Sequence, residues 1–297
     1  MILVTGAGGF IGKEVCRVLS ELGYEVVALD RQFATSTPYR QVMGDVGDPA
    51  FLARVFESQK FETVVHLASI LKTASRKNPQ EALRVSVGGS LHLLELAAQS
   101  GVSKFIYGSS ITAYGPKPLA RYGEVSEEEP PAPNTIYGVS KRYVELAGQN
   151  YNDQGLLQFV SLRIGMVVGP GAVNTSTPWR SQIFEQLGLK QPAPINFSFG
   201  ENARLPLVYL TEVAEIIRHL HEAKRPKFTL YNTPVENWTA RELAGYIQTL
   251  NPGLRTTFSS TAGLDDPEAI DSRRFRGEFG YQPIPLRERF QEFAGKN

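Results

Sequence analysis

The sequence predicts an α/β chain: a doubly wound parallel sheet with a smaller C-terminal lobe. Three observations predict it. Short apolar runs of strand length alternate with helix-period segments as far as residue 163. A glycine cluster from Gly6 to Gly12 stands between the first apolar run and the first helical segment. After Gly165 the alternation gives way to a breaker-rich stretch with prolines at 170, 178, 192 and 194.

In chain order, the run Ile2 to Val4 leads into helical periodicity from Lys13 to Leu22. Glu25 to Leu29 is followed by a helix over Pro49 to Gln59, and Thr63 to His66 by a helix over Glu81 to Ser100. Phe105 to Tyr107, a helix over Tyr137 to Gln154, and Gln158 to Arg163 continue the rhythm, because strands buried on both faces read as near-continuous apolar runs. Residues 166 to 204 read as an irregular, ligand-covering region. Leu207 to Leu210, Glu212 to Glu222, Phe228 to Tyr231 and Thr239 to Leu250 then supply a smaller lobe. The expected division is a nucleotide-type domain over 1–165 and a lobe over 166–297, some of whose elements interleave with the sheet.

Composition narrows the partners. Thirty-one basic residues against thirty acidic ones leave a net charge of +1, so no overall field draws the chain to nucleic acid or an anionic membrane. No stretch approaches the roughly 18 apolar residues of a membrane span. A single cysteine, Cys16, forms no internal disulfide, and a start lacking a basic leader points to the cytoplasm. A small neutral or mildly anionic ligand is expected, with no metal: the acidic run Glu124 to Glu129 reads as a solvated loop, and His219 and His221 lie two apart on one helix and face different ways. Arg273 to Arg276 reads as helix-end charge or an anion contact, and Trp179 and Trp238 as core.

The glycine cluster reads Thr5-Gly6-Ala7-Gly8-Gly9-Phe10-Ile11-Gly12, at a strand-to-helix turn where a tight turn, backbone approach to a pyrophosphate and close helix packing each exclude a Cβ. Asp30 ends the second strand 18 residues beyond Gly12, placed to accept from ribose hydroxyls. Its charge repels a 2′-phosphate, although Arg31 beside it partly offsets that repulsion, so NAD is expected rather than NADP. This is the pattern of a Rossmann-type nucleotide domain.

Ser110, Tyr137 and Lys141 form the second constellation. Tyrosine and lysine four apart on a helix share a face, so the ammonium is expected to lower the phenol's pKa while the serine hydroxyl steadies a substrate oxygen. Tyr-x-x-x-Lys alone is common on amphipathic helices. Its force here comes from the accompanying motifs.

Taken together these motifs make the sequence resemble the extended short-chain dehydrogenases/reductases, the NAD-dependent epimerase/dehydratase group, over nearly the whole chain. Thr5-Gly6-x-x-Gly9-x-x-Gly12, Asp45-Val46, His66-Leu67-Ala68-Ser69, Ser109-Ser110-x-x-x-Tyr114-Gly115, Tyr137-Gly138-Val139-Ser140-Lys141 and Leu162-Arg163 with Val168-Gly169-Pro170-Gly171 carry the resemblance. It implies that Tyr137 is the general acid/base, that Lys141 holds the nicotinamide ribose, and that Ser110 orients the reacting oxygen. It implies cofactor contacts at Gly6, Gly9, Phe10, Ile11, Gly12, Asp30, Arg31, Asp45, Val46, Leu67, Ala68 and Ser69, and a homodimer pairing the helices near 81–100 and 137–154. His66 is read as a hydrogen-bonded core residue.

The departures bear on substrate. Nucleotide-sugar enzymes of this group usually carry an asparagine and an arginine where this chain has Met166 and Leu205, and Ser86 stands where an asparagine is usual. Methionine and leucine offer a diphosphate no donor. Arg204 is one residue away, and Thr112, Met166, Arg204 and Tyr209 are the candidate substrate contacts beside Ser110. Leu67 to Leu71, Lys77-Asn78-Pro79 and Leu205 to Tyr209 are similar to short-chain L-threonine dehydrogenases. The expectation is therefore an NAD-dependent oxidation of a secondary alcohol in a small hydroxy acid, amino alcohol or sugar acid. The alternatives are a nucleotide-sugar epimerase or dehydratase and a non-catalytic dinucleotide sensor.

Overall fold

A computed structural model describes residues 1–172, 177–259 and 265–295. The first six strands are β1 (Ile2–Thr5), β2 (Val26–Asp30), β3 (Arg40–Met43), β4 (Thr63–His66), β5 (Lys104–Ser110) and β6 (Gln158–Ile164). They are followed by β7 (Met166–Val168), β8 (Ile195–Phe197), β9 (Arg204–Tyr209), β10 (Leu230–Asn232), β11 (Glu236–Thr239) and β12 (Thr256–Phe258). Seven of them form one parallel sheet in the order β10-β6-β5-β4-β1-β2-β3. The order reverses between β1 and β4, which opens a crevice at the carboxyl ends of those two strands.

Both faces of the sheet are buried. Leu3, Val27, Val64 and Phe105 point into one core cluster, Val4, Ala28, Val65 and Ile106 into the other, as the two-residue period of a strand requires. Helix Phe10–Glu21 covers one side and packs against helix Leu210–Glu222. Tyr24 donates to Glu222 across that contact, and Thr211 to Glu14.

The lobe rests on the three-stranded sheet β11-β9-β7 and the pair β12-β8. Helices Trp179–Leu187, Ala240–Leu250 and Leu286–Ala294 pack there through Phe184, whose ring stacks on Phe290 at 5.0 Å. β10, the late strand expected near 228–231, leaves the lobe to extend the main sheet beside β6.

Two segments differ from the sequence reading. The helix expected over 81–100 is Pro79–Ala82, a wide π-type turn Leu83–Gly89, and then Ser90–Gln99. The Ser90 hydroxyl donates to the Ser86 carbonyl at 2.7 Å, competing for the acceptor that an α-helix offers the Ser90 N–H. The stretch 166–204 is less irregular than expected, holding β7, β8 and helix Trp179–Leu187.

Candidate functional site

The crevice is walled first by the glycine turn. Gly6 adopts φ +71°, and a Cβ there would lie 2.6 Å from the Ala68 nitrogen; one on Gly12 would overlap the Gly6 carbonyl. The turn after β1 is thereby pressed against the segment after β4. Helix Phe10–Glu21 starts at Gly9 with no side-chain cap, so its first-turn N–H groups are left for an anion.

Asp30 accepts from the N–H of Gly8 at 2.9 Å and of Arg31 at 2.6 Å, which fixes its carboxylate at the end of β2 beside the turn. Further along the crevice, Asp45 accepts from Gly47 N–H at 2.8 Å and from Arg84 at 2.6 Å, and the Arg84 contacts hold its carboxyl below the usual range against burial, which opposes them. The Arg31 guanidinium faces Glu81 at 3.6 Å. Val46 is buried, and Ser69 lies 3.2 Å from the Ser86 hydroxyl, which also receives the Ile70 N–H at 2.9 Å.

His66 seals the floor. The Ser90 hydroxyl gives its one proton to Ser86, so at 2.8 Å it accepts from His66 Nε2–H; Nδ1 then accepts from Thr5 at 2.6 Å, and Thr5 in turn accepts from Ala68 N–H at 3.4 Å. Burial, with a smaller push from Lys141, depresses the imidazole pKa to about 3, so His66 is a neutral directional link.

Ser110, at the end of β5, and Tyr137 and Lys141, on helix Ile136–Asp153, come together at the crevice mouth. Thr135 caps that helix by accepting from Gly138 N–H at 3.0 Å. The Lys141 ammonium donates to the Gly108 carbonyl at 2.7 Å and lies 5.5 Å from the centre of the Tyr137 ring. Ser110 donates to Thr112 at 3.0 Å.

Burial pushes the Tyr137 phenol up to about 12, with the neighbouring Ser110 hydroxyl pulling it back, and burial draws Lys141 down to about 7. Desolvation is the largest cause of both shifts.

Sequence reasoning gave no role to Glu145, one turn beyond Lys141. Its buried carboxylate accepts from Ser109 at 2.6 Å and is clasped by Arg163 at 2.9 and 2.7 Å. The Arg163 guanidinium also covers the Tyr114 ring at 4.1 Å. These contacts fasten the Tyr137 helix to β5 and β6, and the i, i+4 spacing from Lys141 was the available signal.

The substrate-contact candidates are spread out. Thr112 lies beside Ser110, whereas Met166 and Tyr209 are packed in the lobe's core and Leu205 is fully buried. Arg204 opens β9 opposite Thr239 and acts on Glu242. A recess of about 400 Å³ lined by Ala7, Lys13, Arg17, Phe33 and Tyr39 lies behind the glycine turn and includes none of Ser110, Tyr137 and Lys141. The acidic and basic runs meet each other: Arg274 pairs with Glu127 at 3.7 Å and with Glu128.

Residues 2–232 match the NAD dependent epimerase/dehydratase family. The chain belongs to that family. It is 32% identical over 175 residues to a UDP-glucose 4-epimerase of Lacticaseibacillus casei, an alignment covering 57% of this chain and 52% of that protein, so the match spans about half the relative's length. Among solved structures, L-threonine dehydrogenase from Phytophthora infestans superposes with a TM-score of 0.89 at 25% identity, over 99% of this chain and 98% of that one. UDP-glucose 4-epimerase of Thermus thermophilus in complex with NAD superposes at 0.83 and 25% identity, over 100% and 99%. The family is NAD-dependent, and the uncapped helix start and glycine turn of this chain fit that cofactor. No helix among the described residues is long and apolar enough to cross a membrane.

Proposed function

We propose that the protein is an NAD-dependent dehydrogenase acting on a secondary alcohol of a small hydroxy acid, amino alcohol or sugar acid. The observation that carries the reading is the convergence of Ser110, Tyr137 and Lys141 at the mouth of the crevice. Bound NAD supplies the hydride acceptor.

The glycine turn and the first turn of helix Phe10–Glu21 hold the pyrophosphate, Asp30 takes the ribose hydroxyls, and Asp45, Val46, Leu67, Ala68 and Ser69 line the adenine and linker side. Ser110 orients the carbinol oxygen and Tyr137 accepts its proton as the C–H bond breaks. A charged Lys141 favours the phenolate that this proton transfer needs, and it is already tethered to Gly108 at 2.7 Å.

Met166 and Leu205 support a small substrate: both are buried apolar positions where nucleotide-sugar enzymes place phosphate donors. The curated epimerase relatives keep a second reading in play, in which the hydride is returned to the other face of a nucleotide sugar. Incubating the protein with NAD and hydroxy acids, L-threonine, uronic acids and UDP-sugars separates the two. Accumulating NADH on a small alcohol supports the dehydrogenase; UDP-sugar interconversion without NADH build-up overturns it.

The enzyme works as a homodimer in this reading. Val139, Tyr143 and Leu146 leave an exposed apolar stripe on the Tyr137 helix, and Leu83 is exposed on the neighbouring turn. Sedimentation of a Tyr143→Glu, Leu146→Glu variant as a monomer is the expected result, and a wild-type monomer ends this part of the proposal. The lone, buried Cys16 suits a reducing compartment, and cell fractionation tests the cytoplasmic placement.

A further inference from the structure

Near Tyr137 two opposite charges are not paired with each other, and each has a buried atom without a partner. Arg180 is the second residue of helix Trp179–Leu187; its Nε is buried with no hydrogen bond, and no carboxylate among the described residues comes within the 4.0 Å of an ion pair. Asp266 enters from the far end of the chain, with Oδ1 buried and unpartnered and its other oxygen 3.8 Å from the Lys72 ammonium. Both are within electrostatic reach of the phenol: Asp266 pushes the Tyr137 pKa up and Arg180 pulls it down. Burial holds the guanidinium below its ordinary value, with Asp266 and Tyr137 opposing.

A cation and an anion with buried polar atoms that serve only the fold gain most by satisfying those atoms on each other. Here they stand unpaired with each other, both acting on the phenol, an arrangement that a ligand carrying the complementary groups would complete. The planar guanidinium suits a carboxylate, and the free carboxylate oxygen suits a hydroxyl or ammonium donor. A diphosphate is a poorer match, because in a nucleotide sugar the ring separates it from the carbon that reacts at Tyr137.

Resting on the dehydrogenase reading, we propose that Arg180 receives the substrate's carboxylate and Asp266 a neighbouring hydroxyl or ammonium, which makes the substrate a hydroxy acid. The donor at Asp266 has two sources, a sugar-acid hydroxyl or an amino-acid ammonium, and these respond differently to Asp266→Asn. The neutral amide still accepts from a hydroxyl, but it no longer neutralises an ammonium.

The test compares NAD reduction by hydroxy acids and by their methyl esters, using wild type, Arg180→Lys and Arg180→Met. The wild type is expected to prefer the acid, and Arg180→Met to lose about 100-fold in kcat/KM on the acid and little on the ester, with Arg180→Lys between them. Quenching of tryptophan fluorescence by NADH stays unchanged. Without ligand, Arg180→Met melts at or above the wild-type temperature, because an unpaired buried charge has gone. Acid-over-ester preference retained in Arg180→Met, or a lowered melting point with NADH binding lost, overturns the assignment.

If no alcohol reduces NAD, the dehydrogenase reading fails, yet the anion site is still read by malonate. Malonate is expected to raise the melting temperature of the NADH-bound wild type and not that of Arg180→Met. An equal rise in both sinks the proposal.

Discussion

The two walls of the crevice are built in different ways. The cofactor wall is backbone: Gly6 at φ +71°, Gly12 against the Gly6 carbonyl, an uncapped helix start, and only Asp30 and Asp45 contributing carboxylates. In the reading proposed above, the chemistry and substrate wall is side chain: Ser110 from β5, Tyr137, Lys141 and Glu145 from one helix, Arg180 from the lobe, Asp266 from near the end of the chain. A backbone cradle is specified by residues that are neighbours in sequence and tolerates no added atoms. A side-chain wall is assembled from distant segments, so each member can change while the fold stands, and its cost appears as buried charge.

That contrast predicts that damage to the second wall separates chemistry from binding. Tyr137→Phe is expected to cut kcat about 10³-fold while the Kd for NADH is unchanged, because a general acid/base is lost and the cradle is untouched. A comparable loss of NADH affinity would show that the two walls are not independent.

Glu145→Leu is next. It leaves Arg163, which already has Nη1 without a partner, buried against an absent carboxylate, and is expected to cost about 3–5 kcal/mol in chemical denaturation. Adding Arg163→Met should recover much of that loss. A single variant as stable as wild type would mean that the Ser109–Glu145–Arg163 cluster does not fasten the helix.

On the cofactor wall the effects are coupled instead. Gly12→Ala introduces an overlap with backbone that no rotamer relieves, expected to cost about 1–3 kcal/mol and to abolish NADH quenching together. Retained NADH affinity in a destabilised Gly12→Ala protein would break the comparison from the other side.

The same difference explains what the sequence made legible. β1, β2, β4, β5 and β6 are apolar because helices cover both faces, and the glycine turn and Tyr137 with Lys141 are local patterns. β3 is a four-residue edge strand with no buried position, so Arg40–Met43 carries no apolar signature. The π-type turn depends on Ser90 and His66 meeting across 24 residues. Arg180 looks like any helix-surface arginine until the fold buries it, and Asp266 is 129 positions from the tyrosine it influences. Spacing cannot encode such pairings; only the tertiary structure makes them.

Lys141 belongs to both walls in this reading, and its stability cost is read through pH. Burial holds its folded pKa at about 7 against an ordinary 10.5. The unfolded chain therefore binds a proton the folded protein does not between those values, so stability rises with pH across that window. The destabilisation is full below about pH 7 and disappears as pH rises through 10.5. Lys141→Met removes the titrating group, at the expense of the bond to Gly108. The melting temperature of Lys141→Met minus that of wild type should therefore be most positive at and below about pH 7 and decline by several degrees by pH 10, the equivalent of about 3 kcal/mol. A difference that stays flat with pH would mean that Lys141 enters the folded state as a fully solvated cation, and the side-chain wall would then carry less buried charge than its geometry implies.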